Sequence, residues 1–168
     1  SKMKSASAVA WLSAGGLILC VPFFGFAFTT TSMVACVIGL ALGNGIKYGY
    51  LAAQYSIAAG VVSTQVRATS TAIMLFVVNL LGYGLGPPLI GGLSTFLNAQ
   101  FLKGSAGELS LDACRDLSSL TDAQTALCGS ANADGLQWSM IVFSCAYAWS
   151  GIHYVLARRH FKKDMISL

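Results

Sequence analysis

Lys47 is the residue of this chain whose type and position most directly suggest chemistry. It is the only Lys, Arg, His, Asp or Glu between Thr31 and Gln65, within an apolar stretch long enough to cross a bilayer. A charge in hydrocarbon is costly, so such a side chain usually faces a protein interior or a water-filled cavity, on the route of a substrate or ion. Its ammonium group would favour an anionic or zwitterionic ligand.

Two other interpretations of Lys47 remain open. The side chain could bond to helix carbonyls in a purely structural role, or it could reach an interface by extending along the helix. Each end of the apolar stretch is about 14 or 15 residues away at about 1.5 Å per residue, so the nearest interface is distant. We therefore favour a Lys47 that faces a cavity.

Helical periodicity around Lys47 predicts two different faces. One face is mainly polar and aromatic and is expected to line a cavity, although buried Tyr and Gln side chains can also simply join helices. Its members are Asn44, Lys47, Tyr48, Leu51, Gln54, Tyr55 and Ala58. The other face carries only small residues and is expected to pack closely against a neighbouring helix. Its members are Gly45, Gly49, Ala52, Ala53, Ser56 and Gly60.

A second candidate surface follows further along the chain, where Asn79, Tyr83 and Pro87 are spaced by four residues. Gly82 and Gly86 flank this line as a GxxxG pair, and two adjacent prolines should kink the helix. The kink could belong to a gating element or to static, tight packing, and both readings stay open. The predicted gating or packing residues are Gly82, Gly86, Pro87 and Pro88.

The cysteines and histidines predict no catalytic or metal site. Cys20, Cys36 and Cys145 lie in apolar stretches and are interpreted as packing residues, while His153 and His160 have no carboxylate or thiol partner at ligand spacing. We therefore expect no enzyme activity, no metal and no cofactor. Cys114 and Cys128 lie in a polar segment and either form a disulfide or remain free, depending on the compartment.

The composition places these residues in a membrane protein. Hydrophobic residues make up 55% of the 168 residues and charged residues only 10%, and the mean hydropathy is +0.69. A soluble domain of this size needs more polar surface. The formal charge of +4 comes from basic residues that are scattered or lie beside apolar stretches, which favours membrane orientation over nucleic-acid binding.

The hydropathy pattern predicts an all-α polytopic fold with four transmembrane helices. Residues 1–97 hold the first three, at about 8–28, 33–62 and 67–96, and residues 136–157 hold the fourth. The second is long and should bend at Gly43, Asn44 and Gly45. Residues 98–135 form a loop, and residues 158–168 form a basic tail.

The distribution of basic residues predicts the orientation. Lys2, Lys4, Arg67 and the basic tail fall on one side of the membrane after four crossings, which the positive-inside rule makes cytoplasmic. The loop 98–135 holds five of the six acidic residues and would be extracytoplasmic. We expect an integral protein of the cell (inner) membrane, with both ends of this chain cytoplasmic.

Residues 67–94, RATSTAIMLFVVNLLGYGLGPPLIGGLS, resemble the penultimate helix of major facilitator superfamily transporters, in particular the Spinster-like branch. The resemblance extends over essentially the whole chain and implies that its four helices are the last four of a twelve-helix transporter. It also implies that Lys47, Tyr48, Gln54 and Tyr55, together with Asn79 and Tyr83, face the central cavity. The remaining partners would be the missing N-terminal helices and membrane lipid.

The resemblance implies a secondary active transporter, a symporter or antiporter that works by alternating access. The substrate would be an anionic or amphiphilic small molecule, such as a lysolipid. The four spans contain no Asp or Glu, so a proton-coupling carboxylate would lie elsewhere in the transporter. The alternative is a complete four-helix scaffold or assembly subunit that docks through its outer loop, although a scaffold has no need for the polar face around Lys47.

Overall fold

The computed structural model describes residues 2–104 and 109–164, and every regular element in these residues is a helix. The α-helices are α1 Lys2–Thr29, α2 Met33–Tyr48, α3 Tyr50–Gly60, α4 Arg67–Asn79, α5 Gly86–Lys103 and α6 Asp122–Asp164. Leu80–Leu85 forms a π-helix, and Thr64–Val66, Ala113–Arg115 and Leu117–Ser119 are short 3₁₀ turns. Four helical segments have the length and apolar composition needed to cross a membrane: 10–29, 33–60, 64–103 and 122–157. The predicted all-α fold with four spans is therefore confirmed.

The segment without α-helix between the third and fourth spans is shorter than the 98–135 expected from sequence. Helix α5 continues to Lys103, and α6 already begins at Asp122. A capping box begins α6, because the side chain of Gln124 accepts hydrogen bonds from the backbone and hydroxyl of Thr121, both at 3.0 Å. Capping and the packing of Ala131 against a small apolar core extend this helix beyond its most apolar stretch.

The structure forms two compact units, which are described separately. The first comprises the chain up to Gly82 and from Ser144 onwards, and α1 lies at its core. The buried side chains of α1 are Ala10, Ser13, Ala14, Leu17, Cys20, Phe24 and Ala27. Helix α6 approaches α1 at Gly151, where an added Cβ would lie 3.0 Å from the carbonyl of Ala14. Small residues thus allow α1 to contact its neighbours closely.

Helix α2 packs against α1 through Gly39 and Gly43, and not through the small-residue face expected from sequence. An added Cβ at Gly43 would lie 3.1 Å from the Phe24 ring, and one at Gly39 would lie 3.0 Å from Ala27. Of the predicted small face, Ala53 is buried and Gly60 is half-buried, while the other four residues are exposed. Within the described residues, α2 therefore contacts α1 closely at Gly39 and Gly43, which lie beside large α1 side chains, and the packing predicted for the rest of the small-residue face stays a prediction.

The second span is interrupted at Gly49 and not at the predicted bend, residues 43–45. The backbone N–H of Gly49 bonds to the carbonyl of Ile46 at 3.3 Å, three residues earlier, and α3 begins at the next residue. Asn44 remains helical and donates its Nδ2 to the carbonyl of Leu40 at 2.8 Å. Gly43 packs closely against the Phe24 ring. Helix α2 is continuous through residues 43–45, where the bend was predicted.

The second unit, Tyr83–Phe143, contains α5, the first part of α6 and, between them, the described residues 109–121, which are called the outer segment after their expected position. Its core consists of Leu102, Leu109 and Ala131. Helices α5 and α6 cross closely at Gly135, where an added Cβ would lie 2.7 Å from the carbonyl of Ser94. A disulfide joins Cys114 to Cys128, with their Cα atoms 5.6 Å apart, and so ties the outer segment to α6.

The two prolines of the third span occupy the first turn of α5. Proline lacks a backbone N–H and clashes with the carbonyl four residues earlier when it lies inside an α-helix. The wider π-helical turn Leu80–Leu85 directly precedes them and moves the preceding carbonyls out of α-helical register. The chain therefore remains helical through Pro87 and Pro88, because it changes from a π-helix to the α-helix α5 just before them.

Candidate substrate-binding site

Lys47 lies in the last turn of α2 and is half-buried in the first unit. Its Nζ atom is 4.9 Å from the centre of the Tyr48 ring and 5.3 Å from the centre of the Tyr147 ring on α6. Both distances are within the range of a cation–π interaction. The ammonium group is thus positioned between a ring of its own helix and a ring of the last span.

Helix α1 fixes the position of Tyr147. The Tyr147 ring is 5.5 Å from the Phe24 ring at an interplanar angle of 30°, and Phe24 also stacks on Phe28 at 6.2 Å. Phe24 is only 5% exposed because it fits against Gly43. The aromatic cluster therefore connects α1, α2 and α6 around Lys47.

No acidic side chain balances the Lys47 charge among the residues that the structure describes. The ion pair found in them joins Arg115 to Asp112 in the other unit. Aromatic rings stabilise an ammonium group only partly, by about 0.5 to 2 kcal/mol. The site can therefore attract a further negative group.

The other polar residues predicted on the second span lie in two different environments, a cavity and an exposed surface. Gln54 lines a cavity of about 350 Å³ together with Ser150, His153 and Tyr154 of α6. The remaining lining residues are Ile57, Ala58, Met74 and Ala157. Tyr48 and Tyr55 are exposed, and no residue described here covers them fully. The predicted polar face is thus divided between a cavity and an uncovered surface.

The two asparagines of the candidate set bond to their own helices. The Nδ2 atom of Asn44 donates to Leu40, and that of Asn79 donates to the carbonyl of Leu75 at 2.8 Å. The amide oxygens remain able to accept hydrogen bonds from a ligand. Tyr83 belongs to the second unit and is 77% exposed.

The predicted GxxxG pair makes no close helix contact in the described residues. An added Cβ at Gly82 or at Gly86 would meet no atom within 4 Å.

Cys20, Cys36 and Cys145 are free thiols. Within the described residues, no group of three or more His, Cys, Asp or Glu side chains could hold a metal ion.

Sequence reasoning missed Tyr147 and Phe24. Tyr147 lies in an apolar helix between two alanines, a context that resembles ordinary membrane-helix packing. Its proximity to Lys47 depends on how α6 is placed against α2, which no local pattern encodes. His153 lines the cavity of Gln54 and contacts Trp149 edge to face at 5.0 Å between ring centres.

No protein-family model and no curated protein sequence matches the chain. Two solved structures do match it, both of a bacterial homologue of the human lysosomal transporter Spinster in inward-facing conformations. The occupied form has a TM-score of 0.81 and 31% identity, and the match covers 94% of this chain and 35% of the homologue. The unoccupied form has a TM-score of 0.78 and 32% identity, with 94% and 34% covered.

The chain therefore spans about a third of the length of the transporters it matches. That share agrees with four helices of a twelve-helix fold. The similarity in fold and the sequence identity both agree with the resemblance to Spinster-like transporters that the sequence predicted. Over 94% of its length the chain matches Spinster-like transporters of the major facilitator superfamily in sequence and in fold, and it has the fold of part of such a transporter.

Proposed function

We propose that this chain is part of a secondary active transporter that works by alternating access, and that Lys47 binds the anionic group of its substrate. The similarity to two inward-facing transporter structures supports the transport role. The single observation that carries the substrate proposal is the half-buried ammonium of Lys47, which contacts two tyrosine rings and no described carboxylate.

The charge balance favours an anionic ligand. Removing an ion from water costs several kcal/mol even after the protein relaxes, whereas cation–π contacts return about 2 kcal/mol when they are desolvated. Water or a ligand must supply the rest. An anionic or zwitterionic head group would supply it most effectively, because a charge-assisted contact in a site of low dielectric is strong.

The position of Gln54 supports an amphiphilic substrate. Gln54 follows Lys47 by seven residues on the second span, on the far side of the interruption at Gly49, which corresponds to about 10 Å along the span at about 1.5 Å per residue. The cavity that Gln54 lines is bordered by Ile57, Ala58 and Met74 as well as by polar groups. In this proposal the head group of the substrate binds at Lys47, and its apolar part extends toward this cavity.

The remaining parts of the proposal concern coupling and orientation. Asp and Glu are absent from residues 8–28, 33–62, 67–96 and 136–157, so proton coupling would use carboxylates outside these segments. In this proposal both ends of this chain are cytoplasmic, which the basic residues near them support under the positive-inside rule. The transporter would then lie in the cell membrane with its disulfide-bonded segment outside.

Uptake by the intact transporter in proteoliposomes tests the proposal. The assay compares a radiolabelled anionic lysophospholipid with an uncharged monoacylglycerol. We expect Lys47→Gln to weaken the apparent affinity for the lysophospholipid about tenfold or more, and Lys47→Arg to retain most of it, because a single charge-assisted contact has this magnitude. Lys103→Gln, which removes an exposed lysine at the end of α5, is the matched control. Unchanged affinity in Lys47→Gln and Lys47→Arg alike would refute the binding role.

A further inference from the structure

A second cavity, of about 460 Å³, lies within the second unit and has no part in the function proposed above. It is bordered by Thr95 and Asn98 of α5, by Arg115 of the outer segment and by Thr125 and Asn132 of α6. Cavities of 300 to 1,000 Å³ are typical of sites for small molecules. Amide and hydroxyl groups, with one guanidinium group, predominate among its polar side chains.

Asn98 supplies the observation that points to a ligand. Its side chain lines the cavity and is 8% exposed, and its Oδ1 atom is buried without a hydrogen-bond partner. A buried acceptor without a donor is unfavourable and is rare in folded proteins. The close crossing at Gly135, where an added Cβ would lie 3.0 Å from the backbone nitrogen of Asn98, holds this residue in place. A ligand O–H or N–H group would satisfy the acceptor.

The charge of the cavity wall indicates an anion. Arg115 is the charged residue among those that line the cavity, and no Asp or Glu is among them. Its Nη1 atom contacts Asp112 at 3.3 Å, but the two side chains are 79% and 88% exposed, so this pair contributes little. A guanidinium group has five N–H donors, and the others remain available to an anionic group.

The disulfide keeps these groups together. Cys114 and Cys128 both border the cavity, and Arg115 follows Cys114 directly. The covalent link therefore anchors the segment that carries Arg115 to α6, the helix that supplies Thr125 and Asn132. Arg115 and the polar residues of α6 are therefore held together before a ligand binds, which lowers the entropic cost of binding.

We propose that this cavity binds a small hydroxylated anion. Arg115 contacts the anionic group, and the Oδ1 atom of Asn98 accepts a hydrogen bond from a hydroxyl of the same ligand. The binding does not depend on the transport function proposed above. The same chemistry exists in a free polyol phosphate and in the head group of phosphatidylglycerol.

Calorimetric titration of the intact protein in phosphatidylcholine nanodiscs tests this site with three probes: glycerol 3-phosphate, inorganic phosphate and glycerol. Glycerol 3-phosphate should bind most tightly, because its glycerol hydroxyls extend beyond the phosphate and can donate to Asn98 while the phosphate contacts Arg115. Arg115→Gln and Asn98→Leu should each weaken its binding about tenfold or more, and Lys103→Gln should not. Weaker apparent binding in phosphatidylglycerol nanodiscs would identify the lipid head group as an occupant, and unchanged binding would identify a free solute.

Three results would overturn the proposal: no saturable binding of glycerol 3-phosphate, equal binding of inorganic phosphate, or equal loss in Lys103→Gln and Arg115→Gln. The second result would mean that the glycerol hydroxyls add nothing to binding, so the proposed hydrogen bond from a ligand hydroxyl to Asn98 would be excluded. The third would indicate only diffuse attraction between charges. The comparison of probes uses the unaltered protein, so it decides the role of Asn98 even when Asn98→Leu does not fold.

Discussion

The Nζ atom of Lys47 on α2 lies 5.3 Å from the centre of the Tyr147 ring on α6. This contact links the one charged residue of the second span to the last span, while Phe24 of α1 supports the ring from another side at 5.5 Å. Three helices therefore determine where the ammonium group is held. Changes to any of these three side chains should therefore alter the surroundings of the ammonium group.

Replacing Tyr147 by Leu should lower the thermal stability of the intact protein. The variant loses a cation–π contact worth about 0.5 to 2 kcal/mol and also an aromatic contact with Phe24. Tyr147→Phe keeps the ring and should behave nearly like the unaltered protein. Thermal unfolding followed by tryptophan fluorescence measures both variants, and equal midpoints for the Leu and Phe variants would argue against the contact.

Replacing Gly135 by Ala should destabilise the crossing of α5 and α6. The new Cβ would lie 2.7 Å from a backbone carbonyl oxygen and 3.0 Å from a backbone nitrogen, so α5 itself must move. Overpacking of this kind typically costs about 1 to 3 kcal/mol.

Gly129→Ala is the control for this substitution. It lies on the same helix, and its added Cβ would meet no atom within 4 Å. Alanine favours the helix there by about 0.5 to 1 kcal/mol. A thermal midpoint that falls by the same amount in both variants would contradict the close crossing.

The hydropathy of the sequence was sufficient to predict the four spans, because length and apolar composition alone decide whether a helix crosses a bilayer. The candidate site was predicted only in part. Lys47 and Gln54 follow from their spacing along the second span, whereas the contact with Tyr147 depends on the relative placement of separate spans. The bend was predicted at residues 43–45, whereas the α-helix is unbroken there and is interrupted at Gly49; Gly43 instead packs against Phe24.

Removing the disulfide by Cys114→Ser and Cys128→Ser should make the outer segment sensitive to proteases. The bond closes a loop with a sequence separation of 14 residues, and a crosslink over a loop of this size contributes about 3 kcal/mol. Cys145→Ser removes an exposed free thiol and should leave the digestion pattern unchanged. Equal rates of cleavage between residues 109 and 121 in all variants would contradict the predicted role of the bond.

The orientation can be tested with single cysteines introduced at two exposed serines. Ser119→Cys in the outer segment should react with a membrane-impermeant thiol reagent added to intact cells, because this segment is expected outside. Ser63→Cys, between the second and third spans, should react only after the membrane is opened. The opposite pattern of labelling would reverse the orientation.

The central claim is that the side chain at position 47 lies at the edge of a water-filled cavity that receives an anionic group. The most direct measurement is the reaction of Lys47→Cys in the intact transporter with a small, charged, water-soluble thiol reagent. The thiolate is the nucleophile that attacks such a reagent, and it forms where water reaches the sulfur. We predict that the cysteine reacts and that an anionic lysophospholipid slows the reaction. Failure of Lys47→Cys to react, while Ser63→Cys in opened membranes does, would contradict the account.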